Sequence, residues 1–368
     1  MTRFAPFLGI VIALALGAVL AILFGNDLST PAPIPAPEVS GVTVVTATSA
    51  PARPATMTRT SPAPAAASKP AASAPAQLTA AASGPTQAEI NAGLSDAATA
   101  LRSALVNILC YSPAGSGLHS ISGSGVIVDP KGIILTNAHV AQYFLLADRG
   151  VSCTVRTGSP AKDAYDASLI YLPPTWVHEN ANVLTETAPS GTGEHDYALL
   201  GITDSATDAP LPATFPSASL GIAPPPVGTP VVIGSYGAQF LQSSQVESSL
   251  FPTIVFGSVK GVFTFAADTV DVLALGGSAA AQEGSSGGGV ADAHGTLVGT
   301  ITTSTVTGST ATRELDAITA SYVRADYATE NGAPLDLLLA EPTAVSIAAF
   351  APKIPALEAM LTAGSISP

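Results

Sequence analysis

Three short stretches carry side chains that could perform chemistry together. Leu135-Thr136-Asn137-Ala138-His139-Val140 sets an imidazole just past an apolar run, and Glu194-His195-Asp196-Tyr197-Ala198-Leu199-Leu200 opens another apolar run with a carboxylate. Gly284-Ser285-Ser286-Gly287-Gly288 places a hydroxyl in a glycine-rich loop. A serine hydroxyl is a poor nucleophile at neutral pH. It gains force when an imidazole takes its proton and a carboxylate holds that imidazole in one tautomer. Each stretch alone has a plainer reading: an exposed histidine, a turn aspartate, a flexible loop. Their occurrence together, in the order His139, Asp196, Ser286, points to nucleophilic catalysis.

The elements that would position these residues are short and β-rich. LVNILCY, GVIVD, GIILTN, CTVRT, ASLIYL and YALLGI are separated by turn residues, and a Pro-rich break at 223–227 precedes PVVIGSY, TIVFGSV, GVFTFAA, VDVLAL, LVGTITTS and LDAITAS. No strand–helix alternation and no repeat period is visible, so two packed barrels or a sandwich are expected. Asp129-Pro130-Lys131-Gly132 reads as a hairpin turn. Residues 88–102 have the composition of a lead-in helix, and 321–340 reads as two short helices broken at Asn331-Gly332-Ala333-Pro334.

The three stretches resemble the chymotrypsin-like serine peptidases, whose corresponding segments read L-T-A-A-H, D-I-A-L-L and G-D-S-G-G. Gly123-Ser124-Gly125-Val126-Ile127-Val128-Asp129, continuing to His139-Val140, is most similar to the bacterial HtrA-type branch. The resemblance covers about residues 104–322. It implies an all-β fold of two six-stranded antiparallel β-barrels, with His139, Asp196 and Ser286 as the catalytic triad. It further implies an oxyanion hole from the N–H groups of Gly284 and Ser286, with no metal and no organic cofactor.

Departures from the family pattern narrow the expectation. Ser285 stands where trypsin-type zymogens carry the aspartate that captures a new N-terminus, so activation of that kind is not expected. Val140 replaces a cysteine and Gly289 a proline. Ala280, six residues before Ser286, occupies the position of the trypsin specificity aspartate. A small or apolar residue before the scissile bond is therefore expected, rather than Lys or Arg. Too little chain follows Tyr322 for the PDZ domain of full HtrA proteins.

The N-terminus carries Arg3 and then an uncharged apolar run, Phe4 to Gly25, long enough to cross ~30 Å of hydrocarbon. Ile22-Leu23-Phe24 makes a poor cleavage site, so a retained signal anchor (1–25) is favoured over a cleaved peptide. Arg3 argues that this end stays cytoplasmic and that the rest is extracytoplasmic, periplasmic or at the cell surface. Residues 26–87 are rich in Pro, Ala and Ser and read as a disordered linker, because they cannot bury enough apolar surface to offset ordering entropy. A peptidase domain is expected over 88–342 and a tail over 343–368.

With 13 basic against 26 acidic residues, a net charge of −13 disfavours nucleic acid as a partner. Protein or peptide substrates, and the membrane through the N-terminal helix, are the partners expected; oligomeric state is left open. Cys110 and Cys153, the only two cysteines, exclude a cysteine-based zinc site. Two buried free thiols and one Cys110–Cys153 disulfide remain equally open. A membrane-anchored serine endopeptidase working through an acyl-enzyme is the leading reading. A catalytically silent module of the same fold that binds peptides or partners is the alternative, disfavoured because all three triad residues are present.

Overall fold

The computed structural model describes residues 85–363, except 182–183, 185–190, 266–268 and 305–307. The expected anchor (1–25) and nearly all of the expected linker (26–87) lie outside the described residues. Helix α1 (Gln87–Ala104) opens on the sequence Thr-x-x-Glu. Thr86 and Glu89 cap each other reciprocally: the Thr86 N–H donates to Glu89 Oε2 at 2.7 Å, and the Thr86 hydroxyl accepts from the Glu89 N–H at 3.3 Å. Its buried residues, Leu94, Ala97, Leu101 and Ala104, follow helical spacing and face the sheets. At Leu105 the run LVNILCY takes over and the helix gives way to strand.

Six strands close the first barrel: β1 (Leu105–Tyr111), β2 (Ile121–Asp129), β3 (Ile133–Thr136), β4 (Ser152–Gly158), β5 (Ala161–Tyr171) and β6 (Ala198–Ser205). Their order round the barrel is β1-β2-β3-β6-β5-β4, every pair antiparallel. The Asp129–Gly132 turn joins β2 to β3 as expected. Gly132 adopts φ +87°, and a Cβ there would press on the Phe215 ring.

The second sheet contains β7 (Pro230–Ser235), β8 (Thr253–Ser258), β9 (Gly261–Phe263), β10 (Val272–Ala274), β11 (Gly289–Ala291), β12 (Leu297–Ser304) and β13 (Leu315–Thr319). Its order, β8-β7-β11-β12-β13-β10-β9, has seven members where six were expected. The difference has a simple cause. β8 and β9 are consecutive in the chain, and one bent run changes partners between them: the Val259 N–H donates to Thr229 O beside β7, and the Lys260 N–H donates to Ala274 O on β10. The two edges of the curled sheet are thus halves of a single extended segment. The fold is the all-β, two-barrel-like chymotrypsin arrangement, with the first barrel closed and the second sheet curled but open, where a closed six-stranded barrel was expected.

Short helices complete it: α2 (Ala138–Ala141), α3 (Pro174–Glu179) with buried Trp176, α4 (Ser243–Ser249), α5 (Ala320–Asn331), α6 (Leu335–Ala340), α7 (Thr343–Phe350) and α8 (Ile354–Thr362). Thr319 caps α5 by accepting from the Tyr322 N–H, and Gly332 ends it at φ +66°, the left-handed conformation that glycine tolerates. The expected tail is helical over α7 and α8. Phe350, Leu357 and Leu361 are buried there, and Arg149 pairs with Glu358 at 2.7 Å. By length and composition alone, 343–362 would also suffice to cross a membrane.

Cys110 and Cys153 face each other across β1 and β4 and form a disulfide with Cα atoms 4.0 Å apart. The bridge spans a sequence separation of 43, for which loop-closure entropy gives about 4 kcal/mol of stabilisation. Replacing both cysteines by alanine is expected to lower the unfolding free energy in urea by about that amount. Equal stability of the oxidised and reduced proteins would show that the bridge contributes nothing.

Candidate active site

β3 ends at Thr136, and the chain turns through α2 to present His139. Opposite, the chain reverses at 193–197: the Asp196 N–H donates to Gly193 O, the Tyr197 N–H donates to His195 O, and His195 takes φ +57°. That reversal turns the two neighbours to different sides. Asp196 is buried at 6% exposure, whereas His195 packs against α5. There its Nδ1 lies 2.9 Å from an Asp326 oxygen, and its N–H donates to the Tyr322 hydroxyl. His119, His178 and His294 are exposed.

Asp196 is held from three sides. Its Oδ2 lies 2.8 Å from His139 Nδ1 and accepts from the Thr302 hydroxyl at 2.6 Å, and its Oδ1 accepts from the His139 backbone N–H at 3.0 Å. Asn137 Nδ2 donates to the Asp196 carbonyl at 2.8 Å, fixing the same residue through its backbone. Thr302 lies on β12, so the carboxylate bridges the two sheets. Burial by itself would raise the Asp196 carboxyl. The charge on His139 and the donated hydrogen bonds outweigh it and hold the carboxyl below the ordinary aspartate range. Burial would likewise lower His139, yet the carboxylate beside it raises the imidazole above the ordinary histidine value. With Nδ1 engaged by Asp196, the proton sits there and Nε2 is left as the basic nitrogen.

Ser286 lies in the loop before β11, anchored to the first barrel. The Ser124 N–H, on β2, donates to Ser286 O at 2.7 Å, and the Ser124 hydroxyl donates to Gly284 O at 2.7 Å while accepting from the Tyr236 N–H. Ser285 is buried, and its hydroxyl bonds that of Ser235 at 3.1 Å. Ser124 therefore fastens the carbonyls on both sides of Ser285 to one strand. The N–H groups of Gly284 and Ser286 donate to no acceptor among the described residues, although their neighbours Ser285, Gly287 and Gly288 all do. The Ser286 hydroxyl also makes no hydrogen bond among the described residues, to His139 or otherwise. Ala280 is fully buried, packed in the second core with Val231, Ala281 and Val290.

Reasoning from sequence brought out His139, Asp196, Ser286 and Gly284 but missed Thr302, Ser124 and Asn137. Asn137 lies within a stretch already marked, two residues from His139. Ser124 likewise lies in the marked Gly123–Asp129 stretch but was given no role, and only Thr302 carries no signal beyond being a polar residue in its strand.

Residues 123–299 match the family model for the trypsin-like peptidase domain. The chain carries a trypsin-like peptidase domain. The matched span holds all three of its candidate triad residues. Among solved structures, the active form of the Rv3671c protease from M. tuberculosis is similar at 18% identity, over 68% of this chain and 88% of that one, with TM-score 0.41. A serine endoprotease from Yersinia pestis is similar at 21% identity, over 65% of this chain and 67% of that one, also with TM-score 0.41. Among curated proteins, none matches the sequence.

Proposed function

We propose that this trypsin-like domain is an active serine endopeptidase that cleaves proteins or peptides through an acyl-enzyme. The observation that carries the reading is the His139–Asp196 pair, with the imidazole fixed through Nδ1 by a buried carboxylate that three donors reach. His139 Nε2 takes the Ser286 proton as Oγ attacks the substrate carbonyl carbon. The unpaired N–H groups of Gly284 and Ser286 receive the negative charge that develops on the carbonyl oxygen. The same nitrogen returns the proton to the leaving amine, and water, deprotonated in turn by His139, hydrolyses the ester. No metal or organic cofactor enters these steps.

The finer parts of the reading rest on the sequence. Met1–Gly25 is a retained signal anchor with a cytoplasmic N-terminus, residues 26–87 form a linker, and the peptidase domain lies on the extracytoplasmic side. The Cys110–Cys153 bridge supports an oxidising compartment for that domain. Ser285 is buried against Ser235 and offers no carboxylate to a new N-terminus, which supports activity without processing. Ala280 brings no charge, which supports small or apolar residues before the scissile bond.

A second reading, a silent module that binds peptides, draws on one observation: the Ser286 hydroxyl is not hydrogen-bonded to His139. Catalytic hydrogen bonds are often open without substrate, so this weighs less than the His139–Asp196 geometry. The deciding experiment is reaction of the full-length protein with a fluorophosphonate probe. Labelling at Ser286 that vanishes in Ser286→Ala is expected. Absence of labelling in the wild-type protein, or labelling that survives the substitution, would overturn the assignment.

A further inference from the structure

The two unpaired N–H groups at Gly284 and Ser286 can act only if the segment leading into them is held in place. Its internal bonds are short-range turn contacts: the Ala281 N–H to Ser278 O, the Gln282 N–H to Ala280 O, and the Ser285 N–H to Gln282 O. Ser124 and Ser235 hold its far end at 284–286, and two further contacts from elsewhere in the chain reach the part before Gly284. The Ala238 N–H donates to Glu283 O at 2.8 Å, and Arg313 Nη1 donates to Ala281 O at 2.7 Å.

Arg313 lies just before β13 and is only 5% exposed. Nη1 also donates to Gln239 Oε1, Nε and Nη2 both donate to Gly308 O, and the guanidinium lies 5.8 Å from the centroid of the Phe240 ring. No carboxylate pairs with it among the described residues. A buried cation met only by carbonyl dipoles and one aromatic face is costly to desolvate, and an apolar side chain of similar volume would fill the space without that cost. What the charge adds is direction: its planar fork gathers residues 239, 281 and 308, from three separate loops, around one point.

We propose that Arg313 is a positioning residue for the oxyanion hole, fixing the Ala281 carbonyl and so the peptide run that delivers the Gly284 and Ser286 N–H groups. It does the work for which an aspartate at position 285 would otherwise need a captured N-terminal ammonium. The inference rests on the peptidase reading above.

The test uses the full-length protein carrying Arg313→Ala or Arg313→Lys. Arg313→Ala is expected to lower kcat per folded enzyme about 10²-fold, the scale of one lost oxyanion donor, with KM little changed. Millimolar guanidinium ion is expected to restore part of that kcat, and methylammonium is not. Arg313→Lys keeps the charge but loses the fork, so it is expected to retain most of the defect. It replaces the alanine variant if the latter does not fold. Wild-type kcat in either folded variant, or loss of activity only in proportion to loss of folded protein, would overturn the proposal. A wild-type protein that fails to react with fluorophosphonate would instead overturn the peptidase reading itself, so the two failures are distinguishable.

Discussion

Asp196→Asn is expected to fold and yet lose about 10⁴ in kcat, equivalent to about 5.5 kcal/mol of transition-state stabilisation. The carboxylate accepts from both the His139 N–H and the Thr302 hydroxyl, and it faces His139 Nδ1 at 2.8 Å. An amide there still offers one accepting oxygen, but its NH₂ would donate to Nδ1. The imidazole proton is then driven to Nε2, and the nitrogen that must accept from Ser286 is already occupied. The pH profile supplies a second readout. Activity needs neutral His139, and Asp196 raises the histidine above its ordinary value, so the acid limb of kcat/KM in the wild-type protein should lie above about pH 6.5. With the carboxylate gone, burial acts alone and the residual activity should titrate at lower pH. Near-wild-type turnover in Asp196→Asn would move the role to another carboxylate, with exposed Glu194 the first to test.

Gly287→Ala should disable the site by a different route. Gly287 adopts φ +84°, and a Cβ there would run into Ser124 O and Thr136 Oγ1. Neither atom can yield easily, because the Thr136 hydroxyl already donates to Ser124 O at 2.7 Å in a buried position. Left-handed strain of about 1–2 kcal/mol adds to overpacking of about 1–3 kcal/mol, so a loss of about 3 kcal/mol is expected. At about 2–4 °C per kcal/mol for a domain of this size, the unfolding midpoint should fall by roughly 10 °C. Activity should fall further than stability, because the Ser124 N–H bond to Ser286 O cannot survive a shift of the neighbouring residue. Gly295→Ala is the matched control, since Gly295 has φ +77° but open space where a Cβ would stand. Equal midpoints and activities for the two variants would show that the close approach at Gly287 does not matter.

The sequence by itself determined the local pieces. The composition of 88–102 marks the body of α1, Asp129-Pro130-Lys131-Gly132 fixes the β2–β3 turn, and Asn331-Gly332-Ala333-Pro334 fixes the break between α5 and α6, because each rests on contacts within a few residues. The strand runs and the stretches around His139, Asp196 and Ser286 were legible for the same reason, since side-chain type and spacing suffice to mark them. Tertiary structure decided whatever depends on residues distant in the chain. Thr302 reaches Asp196 across 106 residues and Ser124 reaches Gly284 across 160, and local sequence, even in the marked stretch that holds Ser124, does not say which distant residue is the partner. The curl of the second sheet likewise turns on a partner change between Val259 and Lys260, within a run that reads as uninterrupted strand. Local propensity sets which segments extend or coil. Register between segments, which emerges only once both sheets are packed, sets which side chains meet.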